Sequence, residues 1–118
     1  MVELHNTLAR SGILFAVAVG LWAAWSFIRR EGVSSSYLGA LAIGEGLMLV
    51  QGVLGIVLVL TGAQPHNLLH FLYGFLSALS WPAVYIYTHA RTARAEVGWY
   101  ALASLLTFGF TVRAVMTA

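Results

Sequence analysis

Between Ser11 and Ile28 the chain runs eighteen residues without a charged side chain, and three further long apolar runs follow it, broken only by Glu45 and Arg113. They cover Tyr37 to Thr61, His66 to Thr88 and Gly98 to about Met116, and the first extends upstream toward Leu4. A helix rises about 1.5 Å per residue, so about 20 residues cross the roughly 30 Å of a bilayer's hydrocarbon. Each run meets that length, and the spacing predicts helices over about 4–28, 37–61, 66–88 and 98–116. The composition agrees: 60% of the residues are hydrophobic and 8% charged, where soluble domains are about a quarter charged. A chain of 118 residues cannot hide that much apolar surface in a water-surrounded core. No basic start with a small-residue cleavage pattern bounds the first run, so it reads as a span and not as a signal peptide. With no cysteine, disulfide and thiolate chemistry are excluded.

The segments between the runs are short: Arg29–Ser36, Gly62–Pro65 and His89–Val97. Brief loops make consecutive helices antiparallel neighbours, which predicts a single all-α domain, an integral-membrane up-down-up-down four-helix bundle. Four of the six arginines (Arg29, Arg30, Arg91, Arg94) sit in the first and third loops. By the positive-inside rule those loops face the cytoplasm, both termini lie outside, and the chain is a multi-pass protein of the inner (plasma) membrane. Trp22, Trp25, Tyr37, Trp99 and Tyr100 fall near the inner boundary, where amphipathic rings settle. The charge balance of +2 gives no basic surface, and no nucleic-acid partner is expected.

In lipid a polar side chain is costly unless partnered, so the few present carry the information. His5 opens the first span and His70 lies about a turn inside the third, at similar depth on helices that are diagonal in a bundle closed in sequence order. Two imidazoles facing across a bundle axis are the arrangement that ligates heme iron from both sides. Small residues follow each at helical spacing: Ala9, Gly12, Ala16 and Gly20 below His5, Gly74 and Ser77 above Trp81 below His70. Such stripes make room for a porphyrin edge, or for a neighbouring helix. Arg10 and Arg113 fall near the same level, and arginine suits the two propionate carboxylates of a heme; the structural alternative is that both snorkel to the headgroups. His66, four residues before His70 and so on the same helical face, is an alternative ligand or a cap of the third helix. Gln51 is placed to hydrogen-bond across the bundle toward the same region, and His89 reads as a solvated loop residue. Glu45 stands in mid-span, where an acid serves as a proton relay, as a quinone contact, or as an interhelical hydrogen-bonding group.

Leu49 to Gly74, LVQGVLGIVLVLTGAQPHNLLHFLYG, resembles a half-repeat of the heme A synthase family. The likeness rests on Gln51-Gly52-Val53-Leu54-Gly55, on Leu69-His70, and on Leu4-His5 with Ala9-Arg10 in the upstream helix, and covers roughly the first three helices. It implies a four-helix heme-binding unit with His5 and His70 as ligands. The family's catalytic unit has a Glu five residues before its His, whereas Glu3 is two before His5, and its loop cysteines are absent; the enzyme activity is therefore not carried over. The expected function is a small cytochrome b, an electron-transfer module holding one heme b per chain, as a homo-oligomer or as a subunit of a larger membrane complex, with a quinone as a candidate partner. The alternatives are a cofactor-free structural or assembly subunit and a minimal heme A synthase-like enzyme acting as a dimer.

Overall fold

The computed structural model describes residues 2–118 and contains four α-helices: α1 (Val2–Ile28), α2 (Ser35–Leu60), α3 (Leu69–Tyr87) and α4 (Arg94–Thr117). No strand occurs among the described residues. All four helices are long and apolar enough to cross a membrane. The helices form a closed ring in sequence order, with α1 against α2 and α4, and α3 against α2 and α4; α1/α3 and α2/α4 are the diagonals. The bundle is 48 Å long and about 22 Å across. One end carries the two termini and the α2–α3 loop, and is here called the terminal end. The other carries Arg29, Arg30, Arg91 and Arg94, and is called the arginine end.

Local chemistry fixes the helix starts. Ser34 caps α2, its hydroxyl accepting from the Tyr37 N–H at 3.0 Å, so the helix begins two residues before the apolar run does. The fourth helix begins at Arg94 and not at Gly98, and Glu96 in its first turn suits the positive end of the helix dipole. The third helix starts at Leu69, later than the predicted His66. Pro65 and a bend at His66 and Asn67 precede it, the Asn67 side-chain oxygen accepts from the Leu69 N–H at 2.9 Å, and the Asn67 N–H donates to the Thr117 carbonyl at 2.9 Å. The loop backbone is thereby spent on capping and on holding α4.

The two arginine-end loops touch directly: the Val33 N–H donates to the Thr92 carbonyl at 2.8 Å. A Cβ on Gly32 would collide with that same carbonyl oxygen, so the close approach requires glycine. Arg94 donates to the Phe27 carbonyl at 2.9 Å and its guanidinium lies 4.0 Å from the Phe27 ring centre, tying the α3–α4 loop to the end of α1.

The core lies in the middle and arginine-end parts of the bundle. Ala16, Val19 and Ala23 of α1 meet Tyr37 and Leu41 of α2, Trp81 of α3, and Tyr100 and Ala103 of α4. Tyr37 and Tyr100, expected at a membrane boundary, are instead 3% and 1% exposed. Tyr37 is held there because its hydroxyl donates to the Val19 carbonyl at 3.1 Å, which satisfies the polar tip of an otherwise apolar ring. Trp22, Trp25 and Trp99 are exposed at that end. Burial is richest on α4, where Ser104, Thr107 and Thr111 face inward. Each hydroxyl has a partner: Thr107 and Thr111 donate to carbonyls one turn back, and Ser104 accepts from the Trp81 indole of α3 at 3.1 Å.

Candidate functional site: a histidine pair at the terminal end

His5 sits on the same face of α1 as its buried stripe Gly12, Ala16, Val19 and Ala23, and His70 shares the face of α3 that buries Ser77 and Trp81. Both helices therefore turn their histidine toward the bundle axis, from diagonal positions. The two imidazole centroids are 6.1 Å apart, with ring planes at 64°. A metal–imidazole bond is about 2 Å and the ring centre lies about 1 Å behind its nitrogen, so two imidazoles on opposite sides of one atom have centroids about 6 Å apart. The measured separation matches that sum.

The ring nitrogens are differentiated. His70 Nδ1 lies 2.6 Å from the Ala114 carbonyl oxygen of α4. A carbonyl only accepts, so Nδ1 carries a proton, and in the neutral ring Nε2 then has the free lone pair. A backbone carbonyl fixing the far nitrogen is the usual arrangement behind a metal-ligating histidine. His5 Nδ1 is buried without a hydrogen-bond partner. The His5 backbone is held from α2: the Gln51 side-chain amide donates to the His5 carbonyl at 2.7 Å, and Gln51 Oε1 is itself buried and unpaired. Gly55, one turn on, lies beside the His5 ring, with a Cβ there 3.4 Å from His5 Cε1, an ordinary van der Waals contact. Gln51 thus reaches across as its position suggested, but its bond goes to the backbone of His5.

Other candidates fall differently. His66 lies in the bend before α3 and is exposed, so it does not share a helical face with His70 and stands outside the pair. Gly12 does not open a groove: the Met48 side chain of α2 fills the space over it, with a built Cβ 3.2 Å from Met48 Cε. Gly74 does face open space, with nothing within 4 Å of where its Cβ would be. Arg10 is five residues from His5, about 140° around the helix, and is exposed. Arg113 is also exposed, its guanidinium 5.6 Å from the Tyr73 ring centre. Neither arginine points into the bundle; each stands at its rim. His89 is an exposed loop residue with φ of 51°.

Packing around the pair is open. No residue from Val2 to Ser11, from Leu49 to Leu60, or from Leu69 to Leu76 is fully buried, whereas α4 remains buried through Ala114 and Thr117. Among the described residues no three potential metal-ligating side chains converge, so the pair can offer an ion two ligands and no more. Two imidazoles alone would suit a metal whose remaining ligands arrive with a macrocycle. Comparison with protein-family models, with curated proteins and with solved structures finds no match for this chain.

Proposed function

We propose that the protein is a small integral-membrane cytochrome b, holding one heme b between His5 and His70 and serving as an electron-transfer module. The observation that carries this reading is the 6.1 Å separation of two inward-facing imidazoles, one of them oriented by a backbone carbonyl. His5 and His70 would hold the heme iron, Ala114 and Gln51 would keep the two residues in place, Gly74 and Gly55 leave the adjoining backbone bare, and Arg10 and Arg113 at the rim are within the class of residues that pair with carboxylates. A heme supplies a one-electron couple whose potential depends on axial ligands and burial. The chain's own contribution is to fix both histidines on helices that face each other across the bundle axis. The resemblance to a heme A synthase half-repeat points in the same direction. The four apolar helices and the clustering of Arg29, Arg30, Arg91 and Arg94 at one end support a placement with that end in the cytoplasm and with the histidine pair and both termini on the outer side of the inner membrane.

A reduced-minus-oxidised spectrum of the purified protein tests the reading. The expected result is the sharp bands of six-coordinate low-spin heme b, absent in His5→Ala and in His70→Ala and retained in His89→Ala and His66→Ala. Colourless protein from heme-replete cells would overturn it. That result would favour a cofactor-free structural subunit, in which the two rings only pack against each other.

A further inference from the structure

A groove of about 680 Å³ runs along the outer flank of the α3–α4 seam. Ala83 and Ala103 leave it deep, because Leu79 and Tyr87 on one side and Leu102 and Leu106 on the other reach much further out. Ser80 also lines it, but its hydroxyl donates to the Leu76 carbonyl at 2.8 Å, so its proton is spent within α3. The interior offers contact to hydrocarbon and little else.

Length and direction narrow the occupant. Tyr87 back to Leu76 on α3, and Trp99 on to Phe110 on α4, are eleven residues each, about 16 Å of helix rise. Half of the roughly 30 Å hydrocarbon thickness is about 15 Å, the depth of one leaflet. The groove starts at the arginine end, so it covers the leaflet on that side and stops at the bilayer's middle.

Its chemistry changes at the arginine end. Tyr87 and Trp99 stand edge to face there, ring centroids 5.3 Å apart and both exposed, and such amphipathic rings settle at headgroup level. One turn beyond Trp99, and two turns before Ala103 on the same face of α4, comes Glu96. Glu96 is 6% exposed and accepts from Arg91 Nε at 2.9 Å, whereas the Arg91 side chain is 59% exposed. The ion pair thus covers its anion and turns its cation outward at the mouth of the groove. The other guanidinium N–H groups of Arg91 are suited to a phosphate. Four arginines against Glu31 and Glu96 make the whole end net positive, which favours an anionic headgroup over a zwitterionic one.

We infer that the α3–α4 groove seats one acyl chain of an anionic phospholipid from the leaflet at the arginine end, with its phosphate on Arg91 and its glycerol level with Tyr87 and Trp99. The inference rests on the membrane placement proposed above and is independent of the heme.

The test is photolabelling of the full chain in phosphatidylcholine nanodiscs doped with a phosphatidylglycerol that carries a diazirine in one acyl chain, followed by peptide mapping. A phosphatidylcholine probe with the same chains runs in parallel. The expected result is phosphatidylglycerol label concentrated on residues 76–87 and 99–110, about fivefold above the phosphatidylcholine probe. Arg91→Gln should bring the two probes level, and Ala83→Phe, which fills the groove, should remove the concentration altogether. Arg29→Gln takes a charge from the same end away from the groove, and Ala42→Phe alters the α2–α3 flank; both should leave the labelling as it was. Ala83 is exposed, so Ala83→Phe and the two probes on the unaltered chain decide the matter should Arg91→Gln fail to fold. Equal labelling by the two probes, concentration that survives Ala83→Phe, or an equal fall in Arg29→Gln overturns the inference. So does a groove shielded from both probes in chains that cross-link to each other through it, which would make this flank an interface between copies. Alkaline-carbonate extraction separates the two premises: a chain that leaves the membrane fails the placement, and one that stays without enrichment fails the lipid seat alone.

Discussion

Gly44 marks the tightest point between three helices. A Cβ there would come within 2.6 Å of Phe15 Cε1 on α1 and 3.0 Å of Trp81 on α3, and the Trp81 indole is anchored to Ser104. Neither ring yields without moving its neighbours, so Gly44→Ala should cost about 1–3 kcal/mol through overpacking. Gly46, on the open side of the same helix with nothing within 4 Å, is the control, and Gly46→Ala should leave stability unchanged or slightly raised. Melting of the two variants in one detergent, followed by helical circular dichroism, compares them; equal melting temperatures would refute the packing argument. At the other end, Gln51→Leu removes the amide that holds the His5 carbonyl. On the proposed function its heme occupancy should fall while the band positions stay, because the axial atoms are untouched; unchanged occupancy would mean that α2 plays no part in holding the ligand.

At the scale of the element, what was legible in the sequence depended on whether a single helix contained the cause. Four charge-poor runs and their antiparallel order follow from length and short loops alone, and the faces of α1 and α3 follow from helical periodicity, which is why His5 and His70 could be matched before their distance was known. The start of α3 was not legible, because the apolar run continues through residues whose backbone is occupied by the Asn67 turn and the Thr117 carbonyl. The filling of Gly12 depends on the reach of Met48 from another helix. The inward polar stripe of α4 was also missed, although Ser104, Thr107 and Thr111 repeat at helical spacing; hydroxyls that bond to their own backbone carry little polar signal. The first turn of α4 offers a test of how such ends are held. Glu96 is 6% exposed and accepts from Arg91 at 2.9 Å, while Arg29 and Glu31 pair at the same distance with both side chains over half exposed. Arg91→Ala should cost about 1–2 kcal/mol, less than a fully buried pair because Arg91 itself is largely exposed, and Arg29→Ala at most a few tenths. A double-mutant cycle with Glu96→Gln reads the difference, and equal costs for the two arginines would refute it.

The whole molecule is unevenly consolidated. Its arginine end is tied by the Val33–Thr92 bond, the Arg94–Phe27 contacts and a core of interlocking aromatic rings, whereas three of its four helices bury nothing fully beyond Gly12, Met48 and Ser77 toward the termini. The apolar contact missing there is a local deficit of stability, and segments with few buried contacts open first. A ligand bound between His5 and His70 would supply that contact to the folded state alone, and stabilisation by such a ligand grows as the logarithm of its free concentration. Saturation at 100 times the dissociation constant is worth about 2.7 kcal/mol, which for a chain of this size corresponds to a melting shift on the order of 10 °C. Titration of hemin into the heme-free protein should therefore raise the melting temperature progressively and slow amide exchange first in residues 2–11, 49–60 and 69–76, with the arginine end little changed. The shift should disappear in the His5→Ala, His70→Ala double variant. A shift that survives the double variant, or protection that appears at the arginine end instead, would mean that heme binds elsewhere and that the open end of the bundle is closed by something other than a cofactor.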